Sequence, residues 1–211
     1  MTDLRKEEVA LELLKKECLA CRRCAIGGKR LDGSEWIPER DEDGEIPPIS
    51  NVFSNMNNNV EVMVVGQNPG ADEVGNGEPF VGTSGRVFND ALEKFVGIER
   101  EQLYITNVVK CYTQGNRKPT QSEMDNCRIF LDTEVRVVQP KVVVALGSIA
   151  FKAMTGMNGI MKHCGETVIS PRYMVPVVAM LHPSPYNTNN PERKVMFEAA
   201  MQQLAKLIKD K

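Results

Sequence analysis

Four short runs, residues 60–65, 103–109, 141–146 and 173–181, place apolar and often β-branched side chains on consecutive positions. A strand that is apolar on both faces must be covered on both faces, as in a parallel sheet lying between helices. Segments with helical spacing separate these runs. Residues 83–96 put Val87, Phe88, Leu92 and Phe95 on one face. Thr120 and Glu123 form a capping box that opens a helix to about residue 138. Further helices are expected from about residue 148 and over 192–209, and a short amphipathic helix over 4–17 carries Leu4, Val9, Leu11, Leu13 and Leu14. The pattern predicts an α/β fold, a three-layer α/β/α sandwich around a mostly parallel four-stranded sheet. The 211 residues read as one domain. The Gly-, Pro- and acid-rich residues 27–50 read as an acidic loop or insertion, and the Asn-rich residues 55–59 as a turn.

The longest apolar run, 142–151, is interrupted by Gly147 and Ser148, which argues against a membrane span. The first 17 residues are charged throughout and resemble neither a signal peptide nor a transit peptide. A cytoplasmic (intracellular) protein without a membrane partner is expected. Net charge is −2, but residues 27–50 hold seven acids against three bases, which leaves the rest of the chain at +2. A positive groove elsewhere, and a nucleic-acid partner, are therefore compatible with the acidic total.

Six cysteines in such a chain point to metal or redox chemistry rather than to disulfides. Cys21 and Cys24 are spaced as C-x2-C, and Cys111 and Cys127 form a second, distant pair. Four thiolates suit zinc or a [4Fe–4S] cluster, and softness alone does not separate them. Cys18 is spaced to replace one of the first pair, whereas Cys164 reads as a core or loop residue.

Ligands of parallel sheets sit at the carboxyl ends of the strands. Three strand exits here carry unusual polar residues: the loop 66–70, Asn107 and His182.

Five motifs follow one another in order: Gly66-Gln-Asn-Pro-Gly70, Glu78-Pro-Phe-Val-Gly82, Ile105-Thr-Asn-Val-Val-Lys-Cys111, Gly115-Asn-Arg-Lys-Pro119 and His182-Pro-Ser184. Together they resemble the iron–sulfur uracil-DNA glycosylases, the family 4 group of the uracil-DNA glycosylase superfamily. The resemblance covers roughly residues 18–209. It implies a DNA repair enzyme that flips uracil out of DNA and hydrolyses its N-glycosidic bond without cutting the strand. It also implies a [4Fe–4S] cluster, with zinc as second choice, on Cys21, Cys24, Cys111 and Cys127. One departure stands out. Family 4 typically has Glu second and a small residue third in its first motif, where this chain has Gln67 and Asn68. Gln in that place resembles the family 1 enzymes, and Asn before Pro-Gly resembles the mismatch-type enzymes. Glu73, seven places after Gly66, follows the family 4 pattern.

The chemistry of these residues suits the implied reaction. A base inside a duplex must be extruded, at a cost of a few kcal/mol, before its bond can be cut. Phe80 would stack on the flipped ring, and the Asn107 amide would pair with the N3–H and O4 edge of uracil. Gly66 and Gln67 would complete the base pocket. His182 would donate to the departing O2, and Asn68 and Glu73 would serve the attacking water and the cationic sugar. Ser184, Arg117, Lys118 and also Lys110 are candidate phosphate contacts, with Tyr186 as the wedge that fills the vacated stack. The expected partner is uracil-containing DNA, met by a monomer. Three other readings remain: the same fold acting on other deaminated or mismatched bases, a nucleic-acid-binding protein without catalysis, and an iron–sulfur electron carrier.

Overall fold

In a computed structural model, which describes residues 2–24, 26, 53–55 and 60–209, every residue of three five-residue strands is buried. These are β1 (Val62–Gly66), β2 (Leu103–Asn107) and β3 (Val142–Leu146). They join β4 (Thr167–Ile169) and β5 (Pro176–Met180) in one sheet of order β2-β1-β3-β5-β4. All pairs are parallel except β4 with β5.

The helices are α1 (Thr2–Leu19), α2 (Ala71–Asn76), α3 (Thr83–Ala91), α4 (Gln121–Val138), α5 (Gly147–Thr155), α6 (Ile160–His163), α7 (Pro185–Thr188) and α8 (Pro191–Lys209). Alternation along each strand divides the core between the two sheet faces. Met63, Val65, Tyr104, Val143 and Ala145 pack with Leu11 and Leu14 of α1, Phe130 and Leu131 of α4 and Phe151 of α5. Val62, Val64, Leu103, Ile105 and Val144 pack with Phe88 of α3 and with Phe197, Met201 and Leu204 of α8. Each Val, Leu, Ile, Phe or Met among them, taken wholly out of water, contributes about 1.5–3 kcal/mol. The three-layer α/β/α arrangement is therefore as the sequence predicts.

The sheet has five strands, not four. The fifth, β4, is three residues long and lies at an edge, so it offers no periodic signal. Its ladder, with Ile169 opposite Pro176, supplies what its own sequence lacks. The second strand ends at Asn107 rather than Val109, because the Val108 and Val109 N–H groups donate to the Gly66 and Gln67 carbonyls and follow the loop after β1. Helix α3 widens into a π-turn over Leu92–Val96, where the Gly97 N–H donates to the Leu92 carbonyl. The capping box is as expected: the Glu123 N–H donates to Thr120 Oγ1 and the Thr120 N–H to Glu123 Oε2. The expected acidic insertion 27–50 and most of the Asn-rich turn lie outside the described residues.

The register positions the site. Gly66 at the end of β1 stands beside Asn107 at the end of β2. Leu146 at the end of β3 pairs with Met180, two residues before His182. Four parallel strands thus discharge their loops at one edge, with chain order reversing on either side of β1, where a crevice is expected.

Candidate active site and cysteine centre

A cleft of about 260 Å³ opens at this edge, lined among others by Asn68, Glu73, Phe80, Asn107, Asn116 and His182. Its volume lies just below the roughly 300 Å³ at which drug-sized pockets begin, a size suited to a single ring. A larger depression of about 840 Å³ lies at the opposite, amino end of the strands, beside Lys141 and Pro176. The smaller cleft is singled out by its chemistry.

Asn107 is 2% exposed, and its Oδ1 is buried without a hydrogen-bond partner. Such an orphan acceptor costs about 1–3 kcal/mol, which a ligand with a matching donor would recover. Gly66 makes the approach possible: a Cβ there would stand 2.4 Å from Asn107 Oδ1 and 2.5 Å from Phe80 Cε2. Amide and ring therefore meet over the end of β1. Phe80 is held at φ +57°, a left-handed conformation that costs a non-glycine residue about 1–2 kcal/mol. Gly85 packs beneath it so closely that a Cβ would lie 1.9 Å from the Phe80 carbonyl oxygen. The Phe80 ring lies 6.3 Å from Phe88 and 6.1 Å from the His182 ring, so it belongs to the core and to the cleft at once. Burial holds the His182 imidazole below its ordinary pKa, against an upward pull from Glu73. Asn187 fixes the loop by donating to the His182 carbonyl.

Glu73 uses both oxygens on main chain. Oε2 accepts from the Gly70 N–H at 2.7 Å and Oε1 from the Gly82 N–H at 3.2 Å, which ties the first loop to the Phe80 turn. Gln67 donates to Asn68 Oδ1, and Asn68 donates to the Pro69 carbonyl and to Asn116 Oδ1 at 3.1 Å. Asn68 lines the cleft, whereas Gln67 is not among its lining residues. Asn116 enters from a loop 48 residues further along the chain, at φ +53°. The motif Gly115-Asn-Arg-Lys-Pro119 marked that loop, but nothing in its spacing pointed to Asn116.

The proposed DNA contacts are dispersed. Ser184 caps α7, and Tyr186 on that helix is 74% exposed beneath the Arg193 guanidinium, 4.3 Å from the ring centroid. Lys118 is exposed. Arg117 is half exposed, but its guanidinium forks onto Glu123. Lys110 is no surface cation. It is 1% exposed and pairs with Glu134, also buried, at 2.5 Å.

Cys18, Cys21, Cys24, Cys111 and Cys127 border one small pocket beside Lys110, and none is in a disulfide. Burial pushes the Cys18 and Cys127 thiols up to about 12, and Cys111 higher still with Cys127 adding to the effect. The Lys110 N–H donates to Cys127 Sγ at 3.2 Å. Among the described residues no group of three or more His, Cys, Asp or Glu is arranged to hold a metal ion. Cys164 stands apart, its thiol on the Met196 carbonyl. Also among the described residues, no helix is long and apolar enough to cross a membrane.

Comparison with known proteins places this geometry. Residues 53–205 match the uracil DNA glycosylase superfamily. A type-4 uracil-DNA glycosylase of Sulfurisphaera tokodaii is 34% identical over 138 residues, 65% of this chain and 54% of that protein. One from Archaeoglobus fulgidus is 32% identical over 141 residues, 67% of this chain and 61% of that protein. One from Saccharolobus solfataricus is 34% identical over 149 residues, 67% of this chain and 69% of that protein. The match thus spans between about half and two thirds of these relatives' length. With its family match over most of the chain, and with Phe80, Asn107 and His182 gathered at one cleft, the chain belongs to the type-4 branch of the uracil-DNA glycosylase superfamily.

Proposed function

We propose that this chain is a monofunctional uracil-DNA glycosylase of DNA repair, which extrudes uracil and hydrolyses its N-glycosidic bond to leave an abasic site. The buried, unpartnered Oδ1 of Asn107 carries this reading. It accepts from the N3–H of uracil while the Asn107 amide donates to O4. Cytosine offers the opposite polarity and leaves both buried groups unpaired, the condition under which a site discriminates most strongly. Phe80 stacks on the extruded ring. His182, kept neutral by burial, donates to O2 as the pyrimidine departs with negative charge.

The cleft's amides and carboxylate suit a water nucleophile. Asn68, oriented by Gln67 and Asn116, holds that water, and the Glu73 carboxylate stabilises the developing sugar cation while its oxygens tie the loops. Ser184, Arg117 and Lys118 meet phosphates, and Tyr186 fills the stack that the base leaves. The enzyme acts as an intracellular monomer on uracil-containing DNA.

Cys21, Cys24, Cys111 and Cys127 hold a [4Fe–4S] cluster in this reading. Their fit is one of donor chemistry: an all-sulfur set around one pocket, in which Cys21 and Cys24 are half-buried and the buried Cys111 and Cys127 need a multivalent cation to offset burial and mutual repulsion as thiolates. When bound, the cluster supplies metal–thiolate bonds that cross-link the segment after α1 to α4 and to the exit of β2. Zinc on the same thiols is the alternative, and the visible absorption of fresh protein separates the two.

Incubation with a uracil-containing oligonucleotide followed by alkali tests the reading. A cut at the uracil position is expected, and an intact strand refutes it. The pair Gln67–Asn68 supports a second reading, broader base choice, for which hypoxanthine, xanthine and mismatched thymine are the discriminating substrates.

A further inference from the structure

Arg100 sits just before β2 and outside the cleft, yet its guanidinium reaches the turn that carries Phe80. Nη1 donates to the Phe80 carbonyl at 3.1 Å and Nη2 to the Pro79 carbonyl at 2.5 Å. The side chain is partly buried and lies in the field of Glu78, Glu101 and Glu73. Two consecutive carbonyls that converge on one point repel each other unless a cation lies between them. A planar fork meets both at once, and a lysine ammonium does not reproduce that geometry. The turn is also one that needs holding. Phe80 is left-handed at φ +57°, and Gly85 leaves no room beneath its carbonyl. At its far end the Gly82 N–H is pinned by Glu73.

We propose that Arg100 is a positioning residue for base capture. Its fork fixes the left-handed Phe80 turn, so that the Phe80 ring is already set as a platform when the base leaves the duplex. The inference rests on the uracil-excision reading and adds to it a residue that does not touch the base. Stacking offsets part of the cost of extrusion only if the ring does not first have to be ordered. Loosening the turn therefore lowers the fraction of base captured. It leaves the phosphate contacts that dominate duplex affinity unchanged.

The test compares the wild-type chain with R100Q, R100K, F80L and the R100Q/F80L double variant. Four quantities are read: single-turnover excision of uracil, inhibition by free uracil, binding of a uracil-free duplex, and hydrogen exchange at the Phe80 and Val81 amides. R100Q is expected to slow excision about tenfold and to weaken inhibition by free uracil by a similar factor. Duplex binding should stay within about twofold of wild type, with exchange at the two amides clearly faster. In the F80L background the same change should add less than about twofold, because Arg100 acts through that ring. A full loss that persists in F80L, or exchange that is unchanged in R100Q, overturns the proposal. If R100Q does not fold, R100K carries the same comparison with a smaller loss of about threefold. Failure of the wild-type chain to release uracil sinks the functional reading alone, and the exchange measurement still decides whether Arg100 holds the turn.

Discussion

Lys110→Met should cost the fold about 3–5 kcal/mol, and adding Glu134→Leu should recover part of that loss. The Lys110 ammonium spends its three protons on Thr106 Oγ1 at 2.5 Å, the Asn107 carbonyl at 2.8 Å and Glu134 Oε2 at 2.5 Å. Both side chains of the pair are within 1% of full burial. With the lysine gone, the Glu134 carboxylate keeps the Thr106 and Tyr104 hydroxyls but loses its only ion-pair partner among the described residues. Removing both members leaves the Asn107 carbonyl without its donor and the buried Thr106 and Tyr104 hydroxyls without the Glu134 acceptor, and each group left unpaired costs about 1–3 kcal/mol, so the recovery is partial. At about 2–4 °C per kcal/mol for a chain of this size, the single variant should melt roughly 6–20 °C lower. The pH dependence has a defined sign. Burial already pushes the Glu134 carboxyl above its ordinary value against the downward pull of Lys110. In Lys110→Met that pull is gone, so the folded carboxyl keeps a proton that the unfolded chain releases near pH 4.3. The deficit should therefore grow as pH rises above that value and shrink towards pH 5. Urea unfolding followed by circular dichroism at pH 5, 7 and 8 measures it. A double variant no more stable than the single one, or a deficit that grows on acidification, would refute the assignment of Lys110 as a buried counter-charge.

Three further outcomes follow from the same geometry. Gly66→Ala should lower uracil excision by about 10²-fold or more, since its Cβ would displace both the Asn107 amide and the Phe80 ring by about an ångström; activity within tenfold of wild type contradicts that packing. His182 is held below its ordinary pKa, so the unfolded chain takes up a proton below about pH 6.5 that the folded one resists. Stability should then fall with pH below that value, and less steeply in His182→Asn; equal slopes in the two proteins count against the burial argument. Cys127→Ser should abolish visible absorption and lower the melting temperature, whereas Cys18→Ser should keep the chromophore; the reverse would move the ligand assignment to Cys18.

What could be read from the sequence, and what could not, follows from how far each signal reaches along the chain. Doubly buried strands announce themselves through consecutive apolar positions, and a polar residue at the end of such a run, as at Asn107 and His182, is conspicuous because nothing in the core requires it. Phe80 was legible for a related reason: a flanking proline and glycine mark a turn, and an aromatic in a turn needs an explanation. Lys110 follows two valines in a run that already ends in polar character, so its charge reads as exposed. Its burial depends on Glu134, 24 residues later on the inner face of α4, and one-dimensional spacing holds no record of that partnership. Arg100 and Asn116 are the same case in milder form. Each is an ordinary polar residue in a connecting segment, and each acquires its role from a hydrogen bond to a residue 20 or more positions away. Local periodicity therefore specifies the sheet and the groups that terminate it, while the residues that orient those groups are selected by contacts that exist only after the layers have closed. Substitutions designed from motifs alone would test Phe80, Asn107 and His182 and would leave Arg100, Asn116 and Lys110 untouched, although Arg100 bonds the Phe80 carbonyl, Lys110 the Asn107 carbonyl and Asn116 the Asn68 amide at the same cleft.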